Sequence, residues 1–215
     1  VDARPLFVDD VWPGCKYLAK FLDDEEDCGI KDESICTMNV LELGAGCSLP
    51  SVIVAKRGAR VICTDFPAPG VIETITKVLH SNGIEGAEAR ALRWGNKEDE
   101  DTVLSMLPAG AAGFDLILVA EPLWQDTVSS HSALAHSISR LLSPAAGAAT
   151  YLCFCHRPST IHKPEDDLAF FSVAAREYNL SSQKVRTVSG EYSDVLDSAP
   201  LDVHLYKLQR QPLSP

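Results

Sequence analysis

The sequence contains no apolar run approaching the roughly 20 residues that a membrane-spanning helix requires. Its first ten residues are acidic and lack the basic region and apolar stretch of a signal peptide. No membrane association is expected, and a cytoplasmic location is. Basic residues are also scarce, with 19 Lys and Arg against 30 Asp and Glu and a formal net charge of −11. Surfaces that grip phosphate backbones need clustered cations, so no direct nucleic-acid binding is expected. The acidity fits either a basic partner or simple solubility. The seven cysteines, at positions 15, 28, 36, 47, 63, 153 and 155, include no C-x-x-C pair and no histidine at zinc-ligand spacing. They read as reduced, packed thiols, and no metal is expected. Cys153 and Cys155 alternate along one apolar run and should share a strand face.

What is present is an α/β pattern. At 215 residues and 46% hydrophobic content, the chain can bury the core of a single domain without staples. Short runs at 40–43, 60–64, 89–93, 115–120 and 150–154, most of them apolar and branched, predict five strands. Helical segments lie between them, an alternation that implies parallel strands joined by crossover helices. A short helix fits 50–57, with proline at its start and Gly58 at its end. Val71, Ile72, Ile75, Val78 and Leu79 form a helical stripe that stops at Asn82-Gly83. Further helices carry Leu134, Ile138, Leu141 and Leu142, and then Leu168, Phe171 and Ala175. Two last β-rich stretches, 183–188 and 203–208, flank a polar loop at 189–200 and suit an antiparallel hairpin. Near the start, Tyr17, Leu18, Phe21 and Leu22 mark a helix, followed by an acidic run at 23–27 expected to be a solvated loop. The acidic stretch 98–101 is expected to begin a helix, where negative charge meets the positive dipole end. The organisation predicted is one domain over 1–215, with a helical segment and acidic loop at 1–36 and an α/β core at 37–215.

The chemistry concentrates at strand ends. Val40-Leu-Glu-Leu-Gly-Ala-Gly-Cys-Ser-Leu-Pro50 places a strand before Gly-x-Gly and a helix after it, so backbone N–H groups are offered to a ligand. A tight turn with no ligand would look the same. A dinucleotide fingerprint needs a third glycine where Leu49 stands, which weakens a nicotinamide-dinucleotide oxidoreductase reading. Asp65 ends the second strand about 20 residues after the turn, where an acid meets a ribose diol; a helix cap is the alternative. Trp94 follows the third strand and either stacks on an adenine or lids the sheet end. Glu121 and Trp124 follow the fourth strand at the switch point of the sheet. Glu121 could orient an amine or take its proton, or be structural. His156-Arg157-Pro158 follows the fifth strand, and His156 reads as part of a structural hydrogen-bond network rather than a base.

Taken together, Val11-Trp12-Pro13, Leu41-Glu-Leu-Gly-Ala-Gly46, Ser48-Leu-Pro-Ser51, Thr64-Asp65, Arg93-Trp-Gly95, Phe114-Asp-Leu-Ile117, and His156-Arg-Pro158 with Asp167-Leu-Ala-Phe-Phe171 resemble one family. It is the seven-β-strand S-adenosylmethionine-dependent protein methyltransferases, nicotinamide N-methyltransferase-like, also called lysine methyltransferase family 16. Within it, the Leu-Pro-Ser and His-Arg-Pro segments look most like the branch that methylates the N-terminal region of translation elongation factor 1-alpha. The resemblance implies a Rossmann-like, seven-stranded, mostly parallel sheet with a C-terminal antiparallel hairpin. It also implies S-adenosyl-L-methionine as cofactor and a protein amine, lysine or N-terminal α-amine, as substrate. Under it, Trp12 would cover the cofactor, Gly44, Ala45 and Gly46 would meet its methionine end, and Glu42 would help place its amino group. Asp65 would hold the ribose, Trp94 would flank the adenine, and Ala120 would line the pocket. Many members carry Asp, an aliphatic residue, and Tyr or Phe where this chain reads Glu121-Pro-Leu-Trp124; Glu121 is the catalytic candidate carried over. Relatives often carry a longer N-terminal stretch, so the chain is expected to begin inside a larger protein. A monomer is expected. The competing readings are a small-molecule amine N-methyltransferase and a cofactor-binding adaptor without activity.

Overall fold

The computed structural model describes residues 10–157, 163–193 and 199–211. Residues 1–9, Pro158 and residues 194–198, on which the sequence carries expectations, lie outside them. Seven strands form one sheet: β1 Asn39–Leu43, β2 Arg60–Asp65, β3 Ala87–Ala91, β4 Leu116–Ala120, β5 Ala149–Cys155, β6 Leu180–Ser193 and β7 Pro200–Arg210. Their order across the sheet is β3-β2-β1-β4-β5-β7-β6. The first five strands pair in parallel, whereas β7 runs antiparallel to both β5 and β6. This is the mostly parallel sheet with an antiparallel C-terminal pair that the sequence predicts.

The helices are α1 Pro13–Asp23, α2 Glu25–Cys28, α3 Asp32–Ile35, α4 Leu49–Lys56, α5 Val71–Ser81, α6 Lys97–Ser105, α7 His131–Leu141 and α8 Pro164–Tyr178. Because side chains alternate across a strand, the central strands feed two separate cores. Val40, Val61, Leu116, Leu118 and Cys153 pack with α1, α4 and α5 on one face. Leu41, Ile62, Ile117, Val119 and Phe154 pack with α6, α7 and α8 on the other. None of the helices described is long and apolar enough to cross a membrane.

Three elements differ from expectation. The acidic run at 23–27 is not a plain loop: the Asp24 carboxylate accepts from the Glu26 and Asp27 N–H groups and caps the one-turn helix α2, which Gly29 ends in the left-handed region. Strand β3 begins and ends two residues before 89–93, because it pairs only with β2, whose ladder finishes at Asp65 opposite Ala91. Leu92 still donates its N–H to the Asp65 carbonyl at 2.8 Å while its side chain enters the core. The C-terminal strands extend beyond 183–188 and 203–208, with Tyr192 opposite Leu201 and Ser193 opposite Pro200. Backbone pairing is indifferent to the polarity that marks 189–193 as loop. Strand β6 carries two register shifts, at Lys184/Arg186 and Val188/Tyr192.

Candidate active site

The sheet order reverses between β1 and β4, so the crevice at the carboxyl ends of these strands is where ligands of such folds bind. Strand β1 delivers Glu42 and then breaks into a turn whose Gly44, Gly46 and Ser48 have φ of 72°, 49° and 56°. Positive φ at two positions is why glycine is needed there. The end of β2 holds the turn: the Thr64 carbonyl accepts from the Gly44 and Ala45 N–H groups, both at 2.9 Å. One Asp65 carboxylate oxygen accepts the Gly46 N–H at 2.8 Å and the other the Phe66 N–H at 2.7 Å. Burial raises the Asp65 carboxyl above its ordinary value, and these two N–H groups oppose the rise. Asp65 thus stands where the sequence places it, and it also fastens the glycine turn.

Behind the turn is a set of polar groups without partners. Glu42 is fully buried, and neither carboxylate oxygen has a hydrogen-bond partner among the described residues. Burial pushes its carboxyl up to about 8. The Ser48 and Ser51 hydroxyls are buried and likewise unpartnered; Ser51 lies near Glu42 without reaching hydrogen-bond geometry. In front of the turn, a Cβ on Gly44 would stand 3.5 Å from Trp94 Cζ2, and one on Gly46 would meet nothing within 4 Å. The turn is flanked by an indole on one side and open on the other.

Trp94 owes its place to residues the sequence did not single out. The next residue, Gly95, donates its N–H to Ser137 Oγ at 2.8 Å, and that hydroxyl donates to Glu100 Oε1 at 2.7 Å. Glu100 is fully buried and also meets His136 at 3.3 Å and Arg140 at 3.4 Å. In the sequence Glu100 looks like one of several helix-start acids, and nothing there marks it as the buried one.

A second cluster stands at the carboxyl ends of β4 and β5. Ala120, which ends β4 opposite Cys153, is half-buried. Glu121 has φ 55°, an unusual value for a residue with a Cβ. Its N–H donates to the Cys153 carbonyl at 2.7 Å. Its carboxylate accepts the Gly14 N–H at 2.6 Å and the Cys155 N–H at 3.3 Å, and pairs with Arg157 at 3.0 Å. The Arg157 guanidinium in turn lies over the Trp12 ring, 4.7 Å from its centroid. Trp12, Glu121 and Arg157 therefore form one assembly seated on the first turn of α1. His156 Nδ1 bonds the buried Asp167 carboxylate at 2.7 Å, the structural network expected of it.

A seven-stranded sheet of this order, with a glycine turn after β1 and an acid at the tip of β2, defines a Rossmann-like methyltransferase. The chain belongs to the lysine methyltransferase family, which it matches over residues 7–177. It is 32% identical over 212 residues to the protein N-terminal and lysine N-methyltransferase EFM7 of Eremothecium gossypii, covering 94% of this chain and 74% of that protein. To efm7 of Neurospora crassa, which bears the same name, it is 29% identical over 218 residues, covering 96% and 73%. Among solved structures it resembles the YcgJ protein of Bacillus subtilis, with a TM-score of 0.61 at 12% identity over 92% of this chain and all of that one. It also resembles TYW2 of Pyrococcus horikoshii in complex with MeSAdo, with a TM-score of 0.54 at 16% identity, covering 92% and 63%. The chain is a methyltransferase, of a class that uses S-adenosylmethionine.

Proposed function

We propose that this methyltransferase transfers methyl groups from S-adenosyl-L-methionine to an amine of a protein, a lysine or an N-terminal α-amine. The observation that carries the reading is the buried, unpartnered Glu42 carboxylate behind a glycine turn whose far side is fastened by Asp65. A buried carboxylate without a partner is costly, and a ligand ammonium would relieve it. The residues fit the cofactor. Glu42 would hold its amino group, Gly44, Ala45 and Gly46 would allow close backbone approach, and Asp65 would accept from the ribose hydroxyls. Trp94 would flank the adenine, Ala120 would line the pocket, and Trp12 would cover it. When bound, the cofactor supplies an electrophilic methyl group on a sulfonium.

The chain's own contribution is alignment and exclusion of water. For Glu121 the surroundings favour orienting over proton removal, because its carboxylate already serves two N–H groups and a guanidinium. It would fix the rim at which the amine arrives. The acidic surface suits a basic protein segment. Resemblance to the branch acting on translation elongation factor 1-alpha makes that cytoplasmic protein's N-terminal region the first substrate to try.

Calorimetry with S-adenosylhomocysteine tests the site: Asp65→Ala should weaken binding at least tenfold, and undiminished affinity would remove the ribose assignment. Labelled cofactor incubated with a protein extract tests the acceptor. Label on low-mass amines alone would favour the small-molecule reading, and tight cofactor binding without any transfer would favour an inactive adaptor.

A further inference from the structure

Two thiols that the sequence separates by 32 residues meet beside the glycine turn, where Cys15 Sγ and Cys47 Sγ are 3.6 Å apart. Cys15 lies in the first turns of α1 and is buried; Cys47 lies between Gly46 and Ser48 and is partly accessible. We propose that this pair is an oxidation site at which hydrogen peroxide closes a Cys15–Cys47 disulfide, tying α1 to the glycine turn. The arrangement divides the roles. Cys47 is held low, at about 7, chiefly by the Cys15 thiol hydrogen-bonding to it, with backbone N–H groups and Lys16 contributing. The same contact, burial and the nearby Glu42 hold Cys15 well above its ordinary value. Cys47 is therefore the nucleophile and Cys15 the resolving thiol.

In the first step the Cys47 thiolate attacks one peroxide oxygen, the O–O bond breaks, and the departing oxygen leaves as water after taking a proton, giving a sulfenic acid. The Cys15 sulfur then attacks the Cys47 sulfur, the S–O bond breaks, and the leaving hydroxide takes the Cys15 proton as a second water. Two thiols lose two electrons and the peroxide gains them. A disulfide requires sulfurs about 2 Å apart, so closure must draw the two segments together. The other thiols differ. Cys63, Cys153 and Cys155 are buried with values pushed up or packed in the core, Cys28 is buried against the Ile30 backbone, and Cys36 is exposed without a sulfur neighbour among the described residues. Neighbours on both sides of the pair are fixed, Gly14 by Glu121 and Gly46 by Asp65, so a change at the sulfurs reaches the turn directly. That last consequence rests on the cofactor site proposed above; the oxidation itself does not.

The test is to titrate the native chain with hydrogen peroxide and map its peptides without reduction. A linked peptide joining Cys15 to Cys47, reversed by dithiothreitol, is expected, whereas Cys47 staying unmodified or accumulating as sulfenic or sulfinic acid without the link would overturn the proposal. In Cys15→Ser the sulfenic acid should persist on Cys47 and be trapped by dimedone, and in Cys47→Ser the Cys15 thiol should stay reduced; oxidation of Cys15 in that variant counts against the assigned roles. The native chain decides if either variant fails to fold, and Cys36→Ser removes the competing exposed thiol. Oxidised protein should bind S-adenosylhomocysteine at least tenfold more weakly than reduced protein, and equal affinity would overturn the coupling. A linked peptide in a chain that binds no S-adenosylhomocysteine even when reduced would sink the cofactor reading and leave the thiol pair standing.

Discussion

Gly14 and Glu121, 107 residues apart, are joined by a 2.6 Å hydrogen bond in which the first turn of α1 donates to the carboxylate at the end of β4. The first N–H groups of a helix have no internal partner, and a negative group there also meets the positive dipole end. The contact is close enough to exclude a side chain at residue 14. A Cβ there would stand 2.7 Å from Glu121 Oε1 and 3.1 Å from the Cys153 carbonyl oxygen.

Replacing a helical glycine by alanine ordinarily stabilises a protein by up to about 1 kcal/mol. Here the sign should reverse. Gly14→Ala is expected to cost about 1–3 kcal/mol through overpacking, seen as a lower Tm in a thermal melt. An unchanged or higher Tm would show that Glu121 can move aside at no cost.

Glu42 titrates near 4.5 in an unfolded chain and at about 8 in the fold. Between those values the folded state binds more protons, so this group's contribution to stability falls as pH rises from about 4.5 through 8. Glu42→Gln removes that slope. The ligand-free variant should melt several degrees above the parent at pH 8.5 and close to it at pH 5. It should also lose affinity for S-adenosylhomocysteine. A variant that melts below the parent at pH 8.5 would contradict the buried charge.

Glu100 connects α6 to α7 and, through Ser137, to the backbone beside Trp94. Glu100→Ala leaves the Ser137 hydroxyl without its acceptor and should cost roughly 2 kcal/mol. The indole emission should shift as Trp94 loses its support, and Glu100→Gln should restore part of both. Loss of stability with unchanged emission would uncouple the network from the indole.

His204 is held down at about 4, first by burial and then by the neighbouring charges of His156 and Lys184. The unfolded chain takes up this proton at the ordinary value of 6.5, so stability declines as pH falls from about 6.5 towards 4. In His204→Gln the drop in denaturation midpoint between pH 7 and pH 5 should be smaller than in the parent. An equal drop would assign the acid sensitivity to other groups.

The strands and helices of the core were legible because their apolar periodicity is strong, and Gly44, Gly46 and Asp65 stood out through the spacing of turn and acid. What the sequence could not display are relationships across the sheet. Cys15 and Cys47 carry no pairing motif, and they meet only because α1 packs against α4. Glu100 differs from its acidic neighbours only in facing α7, and a single turn of register in α6 settles that. Glu121 was visible as a carboxylate at the switch point, but its ties to Gly14, Cys155 and Arg157 depend on three separate segments converging. The short helix α2 was hidden by its charge: five acids in succession read as solvated chain, while one of them is the cap.

Strand β6 is fourteen residues long and forms one outer border of the sheet. So long a border would invite other polypeptides to extend it. Its two register slips interrupt the row of free amides, and Lys184 and Arg186 stand at the first slip beside Val185, which is 38% exposed. An arriving strand would meet a broken template, so this flank is guarded against growth into cross-β filaments.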